Sequence, residues 1–193
     1  MEYFASIAKS GKAIIDPFEH YVKQTYRNRC RIMSANGILP LSIPVIKISG
    51  NHTRVRDIEI DHSHKWQRVH WRAITSAYSH SPFFLYYKDE LEIFYEEKTD
   101  NLLEFNTQLT IVIMRLVGIN TPLEFSDSYM EKDPGGCFDM RDRIHPKKED
   151  PEGKYTEYIQ VFHNKFPFSP NLSIIDLLFN EGPQAKDYLL RID

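Results

Sequence analysis

The segment from Asn101 to Val117 constrains the fold more than any other stretch. Leu102, Phe105, Leu109, Val112, Ile113 and Leu116 recur at helical spacing, which predicts an amphipathic helix with that stripe turned inward. Gly118 follows where a helix C-terminus would place it. A stripe of this length needs a second layer, and the chain offers one at Asn36-Gly37. An Asn-Gly pair between apolar runs predicts a hairpin, with Cys30 to Ala35 as one strand and Leu39 to Ile48 as the other. Pro40 and Pro44 confine the second strand to an edge or a bulge. Helix and hairpin together give an α+β fold, with α/β as the alternative. With 193 residues, 41% hydrophobic and 26% charged, the chain suits a single compact domain, 1–193. A small mixed sheet should be packed by three to five helices.

The remaining elements follow from local signals. Glu2 to Lys9 has Phe4, Ile7 and Ala8 at helical spacing before Gly11, and Lys12 to Ile15 reads as a short strand. Asp16-Pro17-Phe18-Glu19 combines an N-cap aspartate, a proline at the first helical position and a glutamate three residues after the cap. It predicts a helix with Phe18, Tyr21, Val22 and Tyr26 inward. Arg54 to Asp61 reads as a strand. Trp66, Val69, His70, Ala73, Ile74, Ala77 and Tyr78 form one stripe of a helix entered near Ser63 and ended at Ser81-Pro82. Phe83 to Tyr87 reads as extended or turning, and Leu91 to Tyr95 as something short. The polar interval 131–154 reads as a long loop, Tyr158 to Phe162 as a strand, and Ser173 to Phe179 as the opening of a last helix ended at Gly182-Pro183.

Within this frame Lys23 to Ile32 stands out as a dense cationic run in a chain of net charge -3. That balance argues against a nucleic-acid binder, so any anion binding must be local. In extended chain Arg27, Arg29 and Arg31 share one face and Asn28, Cys30 and Ile32 the other. Such an arginine comb matches the oxygens of phosphate or carboxylate, and a polar edge paired with the acids of Asp57 to Asp61 is the plain alternative. Cys30 and Cys137 make no disulfide framework, and no Cys and His spacing fits a structural zinc site. His62 and His64 lack a third ligand, so no metal is expected. No stretch is apolar enough to span a bilayer and none reads as a secretion signal, which places the chain in the cytoplasm.

Five segments carry a resemblance. Tyr26-Arg27-Asn28-Arg29, the run from Trp66 through Tyr78 with Ser81-Pro82-Phe83-Phe84, Leu102-Leu103-Glu104-Phe105-Asn106, Tyr158-Ile159-Gln160-Val161-Phe162 and Leu172 to Asn180 together resemble the WbqC-like protein family. The resemblance spans nearly the whole chain in the right order. It implies a bacterial protein of surface-polysaccharide or O-antigen gene clusters, some members carrying the label of a glycine transferase. Members usually have a short apolar strand before the segment matching Met1 to Phe4, and a strand of that kind is expected to be missing here.

The chemistry the resemblance implies is the transfer of an acyl or aminoacyl group to an activated sugar. His70 is the candidate base, with a hydrogen-bonded core histidine as the plain alternative. Cys30 is the candidate nucleophile, weakened by its place on a strand. Arg27, Asn28 and Arg29 would hold an anion, joined by Trp66, Tyr78, Asn106, Arg141 of the long loop with its neighbours Asp139 and His145, and Gln160, which strand alternation would turn toward a cleft or solvent. Ser173 and Asp176 read as cap and first-turn residues of the last helix. The partner would be a small molecule, a nucleotide sugar or an acyl or aminoacyl donor, with no cofactor. A noncatalytic ligand-binding or assembly protein recognising the same anion is the competing reading.

Overall fold

A computed structural model describes residues 1–131, 136–148 and 154–192. The fold is α+β, and its spine is the helix read first from the sequence. Counting α-helices in chain order, that spine is α4, Leu102–Val117, preceded by α1 (Glu2–Lys9), α2 (Trp66–Tyr78) and α3 (Phe84–Glu96) and followed by α5 (Ile174–Glu181) and α6 (Ala185–Arg191). Asn101 Oδ1 caps α4 by accepting from Glu104 N, and Gly118 ends it at φ 83° in the left-handed region. Sixteen residues give α4 a length of about 24 Å. Its first turn, through Leu102 and Phe105, enters an apolar cluster with Tyr21, Val55, Ile58, Ile60 and Trp66. Its last turns, through Ile113, Met114 and Val117, enter a larger cluster built on α1, α2, α5 and α6. Both clusters therefore hang on one rigid rod.

The strands do not join into one mixed sheet. They form three two-stranded pieces among the described residues: β1 (Ala13–Ile15) parallel to β6 (Leu123–Phe125), β2 (Arg29–Ser34) antiparallel to β3 (Gly37–Ser42), and β4 (Val45–Lys47) antiparallel to β5 (Ile58–Ile60). In the β2 and β3 hairpin, Ser34 pairs with Gly37 and Arg29 with Ser42. Ala35 and Asn36 keep negative φ, while Gly37 takes φ 100°, so the glycine closes the turn instead of sitting at its centre. The outer edge of β2 is covered: Ser173 N donates to Arg31 O at 2.7 Å and Met33 N donates to Tyr78 Oη at 3.2 Å.

Four expectations are corrected. The helix predicted from Asp16 does not form, because its capping groups have better partners elsewhere. Asp16 Oδ1 accepts from Phe18 N in a tight turn, its Oδ2 accepts from Met130 N, and Glu19 is taken by Arg27. Tyr21 N donates to Thr53 O and Val55 N to Glu19 O, which lays residues 19–21 along 53–55. Phe83 to Tyr87 is neither extended nor a turn beyond its first residue: α3 begins at Phe84, because Phe84 and Leu91, seven positions apart, bury one face of a helix. The segment Tyr158 to Phe162 is not a strand. The Gln160 carboxamide takes the place of a ladder partner by bonding both the N–H and the C=O of Ser169, and Phe162 turns at φ 61°. Val69 points outward from α2 at 62% exposure, whereas Trp66, His70, Ile74, Ala77 and Tyr78 are buried as the stripe requires.

Gly182 ends α5 at φ 53° and ψ -121°, and a Cβ there would stand 2.6 Å from the Phe83 ring. Both the backbone conformation and the space exclude a side chain. Gly182→Ala should therefore cost about 2 to 4 kcal/mol, read as a lower urea midpoint at unchanged m-value.

Candidate functional site

At the head of β2 two buried polar atoms have no hydrogen-bond partner among the described residues: Asn28 Oδ1 and Arg29 Nε. The rest of Asn28 is fixed, because its Nδ2 donates to Ile43 O at 2.8 Å and its carbonyl accepts from Ile43 N at 2.8 Å. Orphaned buried groups of this kind are costly, and in native proteins they mark a function or a missing partner. Arg27 is different. It closes a two-pronged pair on Glu19, Nε to Oε1 at 2.9 Å and Nη2 to Oε2 at 2.6 Å, with both side chains 17% exposed. Asn106 Nδ2 holds the Arg27 carbonyl at 2.6 Å from α4. Arg27 and Asn106 thus stiffen the loop that delivers Asn28 and Arg29. Arg31 continues the alternation two residues on, and its carbonyl is the one that receives Ser173 N.

His70 arrives at the same place from α2. It is 8% exposed, lies edge-on to Trp66 at 5.2 Å between ring centroids, and hydrogen-bonds the backbone of Ser42, the residue opposite Arg29 in the hairpin. Burial pushes its pKa down to about 4 against the pull of the Ser42 bond, so the imidazole is neutral at pH 7. A neutral imidazole has a lone pair to accept a proton, and at about 4 it is a weak base until a bound anion raises it. Trp66 is buried, with Nε1 unpartnered among the described residues, and packs edge-on to Phe105 at 5.6 Å.

Tyr78 and Gln160 belong to a second constellation. Its centre is Asp176, 0% exposed on α5. Tyr78 Oη donates to Asp176 Oδ1 at 2.7 Å, Gln160 Nε2 donates to Oδ2 at 3.0 Å, and Tyr158 Oη also donates to Oδ2. Gln160 is 3% exposed, so it faces neither cleft nor solvent as strand alternation had implied. Asp176 does stand in the first turn of α5, as expected, and it is also a buried acceptor whose pKa burial raises despite the three donors. The sequence carried one signal of this: an aspartate inside the apolar run Ile174-Ile175-Asp176-Leu177-Leu178-Phe179. Cys30 stands at the margin of this nest with its thiol bonded to Ser173, and burial pushes it up to about 11. At neutral pH it is a thiol, with a thiolate share on the order of one in ten thousand. That is a poor nucleophile.

Arg141 reaches neither constellation. Its guanidinium is spent on Asp139, on Asp16 Oδ2 at 3.0 Å and on Met130 O at 2.8 Å, which pins 139–141 to the end of β1. Residues 132–135 and 149–153 of the long loop lie outside the described residues, and His145 Nδ1 accepts from Lys147 N within it. Two shallow grooves of about 310 Å³ lie elsewhere, one over the start of α4 beside Phe125 and one between Ser10 and Lys186. Among the described residues no cluster of His, Cys, Asp and Glu could hold a metal, and no helix is long and apolar enough to cross a membrane.

Two outcomes follow from the buried groups. Between pH 6.5 and 4 the unfolded chain binds the His70 proton more readily than the folded one. Its contribution to stability is therefore complete above pH 6.5 and is lost as pH falls toward 4, by about 3 kcal/mol in full. His70→Gln should flatten that part of a profile of urea unfolding free energy against pH. Asp176→Ala leaves the Tyr78 and Tyr158 hydroxyls without their acceptor and should cost about 3 to 5 kcal/mol, visible as a large fall in melting temperature.

The sequence profile of the WbqC-like protein family matches residues 1–144 and 149–188. An uncharacterized protein of Mycobacterium tuberculosis is 31% identical over 215 aligned residues, covering 97% of this chain and 91% of the relative. No solved structure matches. All five segments that suggested the resemblance fall within the matched residues, and the chain belongs to the WbqC-like protein family.

Proposed function

We propose that this chain is a bacterial enzyme of surface-polysaccharide or related small-molecule biosynthesis, moving an acyl or aminoacyl group onto an activated sugar in the cytoplasm. The sugar and the acyl group come from the family resemblance. What the residues themselves support is the anion site, and the observation that carries it is the buried, unpartnered Arg29 Nε beside the unpartnered Asn28 Oδ1. A guanidinium with a free prong next to an amide oxygen suits a ligand that brings both an oxyanion and a donor.

In this reading Arg29 holds a phosphate or carboxylate of the donor, and Asn28 orients a donor group beside it. His70, neutral at pH 7, takes the proton from the acceptor amine or hydroxyl as that atom bonds to the acyl carbon. The leaving group departs with the electron pair of the bond it gives up. Cys30 has no part in it, since a thiol at about 11 does not compete as a nucleophile. Tyr78, Gln160, Asn106, Arg27 and Arg141 act through the scaffold, and Trp66 walls His70. The second reading is a noncatalytic binder of the same anion, favoured by the tight enclosure of His70 at 8% exposure.

Calorimetric titration with a nucleoside-diphosphate sugar, followed by mass spectrometry of mixtures with acyl thioesters, separates the two. Arg29→Gln should weaken binding about tenfold or more, the loss of one charge-assisted hydrogen bond. His70→Gln should bind normally and turn over nothing. Binding without turnover in the unmutated chain selects the noncatalytic reading, and binding indifferent to Arg29→Gln removes the site.

A further inference from the structure

Helices α2 and α3 carry opposite charge on faces turned to solvent. From His62 to Lys88 the sequence holds no acid. α2 contributes Arg68 and Arg72, with Lys65 at its N-cap, whereas α3 contributes Asp89, Glu90, Glu92 and Glu96 against Lys88 alone. Lys65, Arg68 and Arg72 are exposed, and spacings of three and four place them on one stripe along the outside of α2. Among the described residues none of these three side chains has an ion pair or a hydrogen bond. The Glu96 carboxylate is likewise exposed and unpaired among them, and that of Asp89 meets only its neighbour Lys88, at 3.1 Å. The acidic face is also apolar. Leu85 is 71% exposed and Tyr86 77%, and with Asp89, Ile93 and Glu96 they lie on the side of α3 opposite the buried Phe84 and Leu91. Apolar groups gathered in this way on one exposed stripe mark a contact surface. On the basic face Val69 is exposed beside Arg68 and Arg72.

The two helices run antiparallel. Gln67 Nε2 donates to Phe94 O at 3.0 Å and to Glu97 O at 2.6 Å, and Trp71 Nε1 donates to Glu92 Oε1 at 2.7 Å. These bonds set Arg68 and Val69 level with Ile93 to Glu96, and Arg72 level with Asp89 to Ile93. A two-fold axis parallel to the helices keeps every residue at its level and lays α2 of one copy antiparallel against α3 of the other, as in a four-helix bundle. Arg68 then meets Glu96 of the second copy, Arg72 meets its Asp89, and Val69 meets its Ile93. We infer that this chain associates with a second copy of itself through the outward faces of α2 and α3, basic helix on acidic helix twice over. A nucleic acid or an anionic membrane would engage the cations of α2 and leave Leu85, Tyr86 and Ile93 in water, whereas a second copy covers both faces at once. Thirteen residues make each helix about 20 Å long, a small face among stable interfaces, so the dimer is reversible and half-formed on the order of 10 µM. His70 leaves α2 on its buried side, which keeps this surface apart from the anion site.

Sedimentation equilibrium of the whole chain, from about 1 to 200 µM, should show a monomer and dimer in exchange, with association weakening as salt rises. Arg68→Glu and Glu96→Arg should each weaken it at least about tenfold, since each sets like charges together in both halves of the interface. An equimolar mixture of those two variants should associate about as tightly as the unmutated chain, because every such contact in the mixed pair again joins opposite charges. Ile93→Asn should weaken association about tenfold through lost apolar burial. Thermal melts in dilute solution establish that each variant is folded. A monomer throughout the range, a dimer indifferent to Arg68→Glu and Ile93→Asn, or a mixture of the charge variants that stays monomeric overturns the inference. An open series of larger oligomers also overturns it, because a two-fold contact closes at two.

Discussion

The carboxylate of Asp176 is the group on which most of the architecture depends. Taking it out of water costs several kcal/mol, and no arginine or lysine pairs with it among the described residues. It is sustained instead by three donors from two separate parts of the chain: Tyr78 from α2, and Tyr158 and Gln160 from the turn-rich segment before α5. Tyr78 passes the connection on, since the hydroxyl that donates to Asp176 accepts from Met33 of β2. Two helices, a hairpin edge and a segment without regular structure are thereby referred to one atom group. The cluster specifies their relative placement more sharply than apolar packing alone would.

The cationic run shows how neighbouring residues of one type are assigned different work by their partners. Arg27 is consumed by Glu19, Arg31 contributes its carbonyl to the α5 junction, and Arg29 keeps a buried nitrogen unspent. The Arg27 pair and the Asn106 bond to its carbonyl brace the approach to β2, so the unspent group is presented on a stiff support. Its opposite number in the hairpin, Ser42, is also where His70 is held. A histidine on a helix and an arginine on a strand are therefore indexed to one residue of β3.

Local signals sufficed where an element depends on its own residues. α1, α4 and the hairpin are legible because periodicity, a glycine at a helix end and an Asn-Gly turn act over a few positions. Asp16 and Glu19 carried equally good local signals and were overruled by Met130, Arg141 and Arg27, partners that no short window contains. Gln160 misled for the same reason: alternation assumes a ladder, and its carboxamide had replaced one. Within the candidate site Arg29 and His70 could be read from charge density and helical stripe. The role of Asp176 was legible only as an aspartate inside an apolar run, because its donors are side chains from α2 and the pre-α5 segment.

Isolated two-stranded hairpins are marginal in water and their open edges invite pairing with other chains. Here β2 has its outward groups taken by Ser173 and Tyr78, and β3 carries Pro40, which has no N–H to offer, opposite Arg31. Neither side of the hairpin can be extended by a further strand without first breaking a bond or meeting a missing donor. The same arrangement that seats Arg29 and braces α5 thus also guards the protein against edge-to-edge aggregation, at the one place where its longest strands would otherwise be exposed to it.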